Sequence, residues 1–232
     1  MDEREMVATS DLSIPGETVQ YGAGATIMAE NVGEDFVFEI TQGLAKVFTI
    51  NGRDQQYVHL IVGPGELFPT AWLIGREYKG ITVEAIGPVT VRRYDRRVFI
   101  EEIRNDGVKA LEVMRRMAAD LNLYATRLDN LEFKYASERL AYRLLVLAQR
   151  FGQESKLGVR LPPFTNQDIG QTINLSRESV NRELSRFGRL GLTSTRSGII
   201  HILDYAGLRK EVSKSSKPLF IDDVLLSQRT DI

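Results

Sequence analysis

The chain changes its hydrophobic period once, after Arg104, and that change divides what it can fold into. Before it, short apolar clusters stand between turn signals at Pro15-Gly16, Gly22-Ala23-Gly24, Asn51-Gly52, Gly63-Pro64-Gly65 and Gly87-Pro88. Punctuation of this kind predicts an all-β barrel or sandwich over residues 14–100. FVFEI (36–40) and AKVFTI (45–50) read as strands on either side of Gly43, with Asn51-Gly52 as the hairpin turn that follows. Beyond Arg104, Leu111, Met114, Ala118, Leu121, Ala125 and Leu128 recur at alternating steps of three and four. That spacing predicts one long helix over 107–134 with an a/d seam, in which small alanines permit close approach. A seam of this length calls for a second helix. It predicts a parallel homodimer, although packing on the chain's own β domain would use part of the same seam.

Downstream, 137–151 reads as an amphipathic helix ended by Gly152, and 152–164 as a polar loop closing on Pro162-Pro163. Residues 165–191 then read as helix, tight turn and second helix. Thr165 and Asp168 have the spacing of a capping box, and Asn174 falls where the chain must bend through left-handed angles. Ser176 is placed to cap the second helix, and Val180, Leu184 and Phe187 form its inward stripe at i, i+4 and i+7. Arg177, Glu178, Asn181, Arg182, Ser185 and Arg186 lie off the stripe. A solvated charged face would look similar, but here the cap, the turn residue and the Arg-Glu-x-x-x-Arg spacing coincide. An arginine fork pairs with guanine O6 and N7, and a carboxylate accepts from cytosine N4. The expectation is a sequence-specific DNA reader. Two short strands around Ser197-Gly198 (193–203) read as a wing, from which Arg196 or Ser197 would reach a phosphate.

Charge is divided along the chain. Residues 1–106 carry 10 Lys/Arg against 17 Asp/Glu, a net of −7, and residues 136–212 carry 12 against 7, a net of +5. An acidic front and a basic rear suit a sensor joined to a nucleic-acid module. With no cysteine, disulfides, cysteine-ligated iron–sulfur clusters and Cys-based zinc sites are excluded. The charged N-terminus and the lack of a long apolar run point to neither leader nor membrane span, and to a cytoplasmic protein. No H-x-H or H-x₃-H spacing, phosphate loop, nucleophile elbow or nucleophile–base pair is present, so neither a metal nor an enzymatic activity is expected. A cupin-like β-roll enzyme is the least favoured alternative, because the β domain holds only His59.

The order of these parts resembles the cAMP receptor protein and FNR superfamily of bacterial regulators, over roughly residues 14–210. The resemblance is most specific at DIGQ (168–171) and SRESVNR (176–182), with weaker agreement at Gly43 to Val47 and Pro64 to Phe68. It implies an α+β chain: a jelly-roll β-roll of the cyclic-nucleotide-binding type over 1–106, a dimerisation helix and hinge over 107–136 (the hinge itself at 130–137), a winged helix-turn-helix over 137–212 and a tail over 213–232. It further implies that Arg177 and Arg182 each meet a guanine and Glu178 a cytosine in a palindromic TGTGA-like site. Asn181 stands where the best-known member has a small residue, which marks one altered base preference. Thr165, Gln167 and Ser176 would hold phosphates, and RNA polymerase would be a partner.

The pocket positions depart from the cAMP pattern. Pro69-Thr70 stands for the Gly-Glu pair that grips the ribose, Lys79-Gly80 for the Arg-Ser pair that clamps the phosphate, and Tyr124-Ala125 for the Thr-Ser pair that reads adenine. Losing a buried carboxylate and a bidentate arginine removes most of the directional bonding such a pocket uses. Glu66, Thr70, Trp72, Lys79 and Tyr124 are the residues around which an effector would bind. Trp72 either fills that space or stacks on a planar ligand. The expectation is a sensor keyed to something other than cAMP, with no cofactor and an unidentified effector.

Overall fold

The computed structural model describes residues 12–30, 35–52, 56–70, 73 and 80–212, apart from the side chains of residues 126 and 129–132. The chain divides into two compact units between Leu123 and Tyr124. The break falls inside the long helix rather than at its start.

The first unit is an antiparallel sandwich. Strands β1 (Glu17–Tyr21), β2 (Thr26–Met28), β3 (Phe36–Gln42), β4 (Ala45–Ile50), β5 (Gln56–Val62), β6 (Leu67–Phe68), β7 (Thr82–Ala85) and β8 (Val89–Asp95) form two sheets, ordered β1-β8-β3-β6 and β2-β7-β4-β5. Ile27, Phe38, Ile40, Val47, Val83 and Val91 meet between them in one core. Gly43 makes the β3–β4 turn at φ 86, where a Cβ would stand 2.3 Å from the Pro88 carbonyl, so only glycine fits. Strands β4 and β5 pair with Ile50 opposite Gln56, so the turn between them is longer than the two residues Asn51-Gly52 expected to make it.

Strand β3 is buried on both faces, since its odd-numbered residues serve a second core. Val37 there meets Leu12, Ile14, Tyr94, Phe99 and Val113. Phe99 comes from α1 (Arg96–Asn105), which Asp95 caps by accepting from Arg97 N and Val98 N. Val113 comes from α2 (Gly107–Glu132), capped by Asp106, whose Oδ1 accepts from Val108 N at 2.9 Å. Along α2 the usual polarity is reversed. Arg116 and Asp120 are buried with Val113, whereas Leu111 and Met114 are each 54% exposed, Leu121 69% and Leu128 65%.

A hydrogen-bond network accounts for the buried charges. Arg116 Nη1 donates to Glu39 Oε1 at 2.6 Å and to the Gly65 carbonyl at 3.0 Å, while its Nε donates to Glu112 at 3.1 Å. Tyr94 Oη donates to the other Glu39 oxygen at 2.5 Å. Burial first, and then that carboxylate, hold the Tyr94 phenol above the ordinary tyrosine value. Both oxygens of Glu39 are thereby satisfied in a site from which water is excluded, which is the condition for burying a charge.

The second unit begins in α2 and continues with α3 (Ala136–Phe151), β9 (Gln153–Ser155), β10 (Gly158–Arg160), α4 (Asn166–Ile173), α5 (Arg177–Arg189), β11 (Thr193–Arg196), β12 (Ile199–Ile202) and α6 (Tyr205–Val212). The stretch 152–164, expected as a loop, holds the hairpin β9–β10. Its strand β10 pairs with β12, so the wing sheet has four strands, ordered β11-β12-β10-β9. Between α2 and α3, Phe133 is buried and packs its ring on Tyr142, with centroids 5.3 Å apart. The tail at 213–232 lies outside the described residues, as do Trp72 and Lys79. Among the described residues no helix is long and apolar enough to cross a membrane.

Candidate nucleic-acid interface

The interface grows from two capped helices and the bend between them. Thr165 Oγ1 accepts from Asp168 N at 3.0 Å, and Asp168 Oδ2 accepts from Thr165 N at 3.0 Å, a reciprocal capping box at the start of α4. Helix α4 ends at Asn174, which holds φ 54 and ψ 48 in the left-handed region. The bend is tight at Gly170, where a Cβ would lie 2.5 Å from the Leu175 carbonyl. The glycine makes room for the turn backbone more than for the crossing of the two helices; Val180 stands farther off, at 3.4 Å. Leu175 N donates back to the Gly170 carbonyl at 3.0 Å and closes the bend.

Ser176 then caps α5, accepting from Ser179 N at 3.1 Å. Val180, Leu184 and Phe187 are buried beneath the helix, which fixes what points outward. Arg177, Glu178, Asn181, Arg182 and Ser185 are all exposed. Arg182 makes only a loose ion pair with Glu183, at 3.5 Å and with 68% of its side chain open to water. The Glu178 carboxyl is held below the usual carboxylate range by a backbone hydrogen bond in the first turn and then by Ser176, so it presents a charged acceptor at neutral pH. Arg186, grouped with these by its position off the stripe, is instead tied down. Its Nη1 and Nη2 donate to Glu211 of α6 at 2.8 and 2.6 Å.

The phosphate candidates are exposed as well: Thr165 and Gln167 at the start of α4, Ser176 before α5, and Arg196 and Ser197 at the wing tip. Ser197 (φ 50) and Gly198 (φ 77) form the two-residue turn of the wing, with Arg196 paired to Ile199 across it. The Thr165 and Ser176 hydroxyls are engaged in their own caps. A phosphate there would meet the free N–H groups of the helix ends as much as the hydroxyls.

At the effector positions, Glu66 Oε2 accepts from Gly63 N at 2.6 Å and closes its own turn, and Thr70 Oγ1 donates to Asp120 at 2.9 Å. Tyr124 is 43% exposed on α2. His59, paired with Thr49 Oγ1 at 2.9 Å, lies in a strand as a packed side chain. Among the described residues no cluster of His, Cys, Asp and Glu could hold a metal.

A family profile described as a cyclic nucleotide-binding domain matches residues 18–106, and one described as a Crp-like helix-turn-helix domain matches residues 138–211. The chain belongs to the Crp/Fnr superfamily of transcription regulators. Members with curated descriptions are distant in sequence. The CRP-like cAMP-activated global transcriptional regulator of Mycobacterium tuberculosis is 27% identical over 75% of this chain and 79% of its own. The transcriptional activator protein FnrA of Stutzerimonas stutzeri is 24% identical over 90% and 84%. Among solved structures, FixK2 from Bradyrhizobium japonicum superposes with a TM-score of 0.72 at 21% identity, over 85% of this chain and 97% of that one. A likeness at that identity speaks for the fold: an N-terminal cyclic-nucleotide-binding-like β domain, helices, and a C-terminal Crp-type helix-turn-helix. As a Crp/Fnr-type regulator, this protein has its DNA-binding domain in the second unit.

Two features of the site escaped the sequence. The β9–β10 hairpin had one readable signal, the alternation in GVR around Val159, too short to separate from a loop. The Arg186–Glu211 pair had none, because nothing local marks which of two exposed-looking charges will find each other.

Proposed function

We propose that the protein is a homodimeric transcription factor that reads a palindromic, TGTGA-like site with α5, under a β-roll sensor keyed to something other than cAMP. The observation that carries this reading is the exposed trio Arg177, Glu178 and Arg182 on a helix capped at one end and anchored beneath by Val180, Leu184 and Phe187. Arg177 and Arg182 pair with guanines, Glu178 accepts from a cytosine, and Asn181 reads the neighbouring step. Thr165, Gln167, Ser176, Arg196 and Ser197 set the register on the backbone, and RNA polymerase is the partner that turns occupancy into transcription. The reversed polarity of α2 supports the dimer: it has spent its charges inward and leaves leucines outward. Two such helices side by side would set the recognition helices roughly 34 Å apart, one turn of DNA. The effector moves the equilibrium between two such spacings.

Against cAMP stand Glu66 and Thr70, each bonded within its own unit. In favour of cAMP stands the cAMP-activated relative from Mycobacterium tuberculosis. Fluorescence anisotropy with a TGTGA palindrome, at two salt concentrations and with cAMP added or omitted, decides. Tight binding without cAMP is expected. Replacing Arg177 with Ala should cost about 1–3 kcal/mol at one guanine and relax specificity there. Binding indifferent to that replacement would remove α5 from the groove, and binding only with cAMP would restore the nucleotide switch.

A further inference from the structure

The hairpin β9–β10, which completes the wing sheet, brings one more arginine to the wing. Register fixes where it stands. Arg160 of β10 lies opposite His201 of β12, and His201 lies opposite Ser194 of β11. These three share one face of the sheet, because strand side chains alternate and the flanking Ile200 and Ile202 are buried on the other. Arg196, two residues beyond Ser194 and paired with Ile199, stands on the same outer face. Strand spacing sets the Cα atoms of Arg160 and Arg196 about 12 Å apart, two strands across and two residues along. Between them His201 is buried, with Ser155 Oγ 3.5 Å from its Nδ1, so the outward reach on this face belongs to the two arginines.

Chain direction carries β10 toward the same end of the sheet as the wing tip. Leu161 N donates to the Ile200 carbonyl at 2.9 Å, one step closer to the Ser197-Gly198 turn than the Arg160–His201 pair. Beyond Leu161 the chain reaches Thr165, which caps α4. Arg160 is thereby flanked by two phosphate candidates, Thr165 along the chain and Arg196 across the sheet. The acid carried by these four strands, Glu154, is paired with Val159 and so alternates to the opposite face. The strands' outer face is cationic and polar, and the anion that meets the wing is the duplex, with one negative charge per about 1.7 Å of its axis. Set back from Arg196 by about 7 Å along the strands, Arg160 meets backbone and not base edges. Its contact therefore carries affinity without sequence preference.

We propose that Arg160 is a further phosphate-contact residue, by which the DNA interface extends from the wing tip onto β10. The proposal rests on the wing lying against the duplex, but not on the sequence that α5 reads. The test is anisotropy of the full chain with two duplexes, the TGTGA palindrome and a scrambled one of equal length, over a series of sodium chloride concentrations. Arg160→Gln should weaken binding to both by the same factor, roughly tenfold. It should also lower the slope of log affinity against log salt by about one per chain bound. Arg160→Lys, which keeps the charge, should restore most of that slope. Lys156→Gln, at the turn of the same hairpin and the far end of its strands, should change neither. The melting temperature of each variant keeps misfolding apart from a lost contact. An unchanged slope in Arg160→Gln, or a loss confined to the palindrome, would overturn the contact. So would unchanged DNA affinity with weakened transcription in vitro, which would give this face to RNA polymerase. A wild-type chain that binds both duplexes alike, with the slope still lower in Arg160→Gln, would support the contact while overturning the reading of α5.

Discussion

Arg186 of α5 closes both of its terminal nitrogens on one carboxylate oxygen of Glu211, at 2.8 and 2.6 Å, and so ties the back of the recognition helix to α6. The pair is part-buried, with a third of the arginine and 11% of the glutamate open to water, so solvent screens a share of its attraction. Arg177, nine residues earlier, is exposed and bonded to no described residue. Two arginines on one helix therefore have opposite duties. Arg186→Ala should lower stability by about 1 kcal/mol and leave base preference intact. Arg177→Ala should do the reverse. Denaturant titration and DNA anisotropy on the same two variants separate them, and matching losses in both assays would refute the division.

The bend at Asn174 offers a cleaner backbone test. A non-glycine residue at φ 54 costs on the order of 1 kcal/mol, and Asn is among the few side chains that bear it easily. Asn174→Gly should be neutral or slightly stabilising, and Asn174→Ala destabilising by about that amount. Gly170→Ala should be worse than either, since its Cβ would meet the Leu175 carbonyl at 2.5 Å. Thermal melts of the three variants rank them. A harmless Gly170→Ala would mean that the bend relaxes more freely than its geometry implies.

What was legible in the sequence follows the range of the interactions. The capping box at Thr165, the left-handed Asn174, the cap at Ser176 and the stripe through Val180, Leu184 and Phe187 each rest on residues within one or two turns, and each stands in the structure where periodicity placed it. The α2 seam was equally plain, because a period of three and four needs no partner to be seen. Contacts across long separations were not. Arg116 and Glu39 stand 77 positions apart, and Glu39 reads locally as one charge in an apolar strand. The four-stranded wing sheet depends on Val159 meeting Ile202, which no local rule supplies. The pocket was legible only as a set of departures from a pattern; a departure says which bonds are lost, not which ligand replaces them.

The Arg116–Glu39 pair is the stronger test of how α2 is held. With 8% and 7% of the side chains exposed and both glutamate oxygens bonded, removing one partner strands a buried charge. Glu39→Leu or Arg116→Met alone should cost about 3–5 kcal/mol. Combining Glu39→Leu with Arg116→Met should cost less than either single change, because no orphaned charge is left. A double-mutant cycle by chemical denaturation reads the coupling. Additive losses would mean that each side chain matters for its packing and not for its partner.

The outward face of α2 decides the assembly. Burying a leucine stabilises by roughly 1.5–3 kcal/mol, and Leu121 and Leu128, both about two-thirds exposed in the single chain, forgo about two-thirds of it. A second α2 supplies the missing contact at the same positions, as the small Ala118 and Ala125 between them allow. Leu121→Asp places a charge against its own copy and should break the dimer while leaving the inward face, with Val113 and Arg116, as it is. Sedimentation velocity should then show a species near 26.2 kDa. Circular dichroism should remain that of a folded chain, and affinity for a palindrome should fall to that of a single half-site. A variant that stays dimeric would move the interface off this seam, and a wild-type chain that is already monomeric would leave the exposed leucines to some other partner.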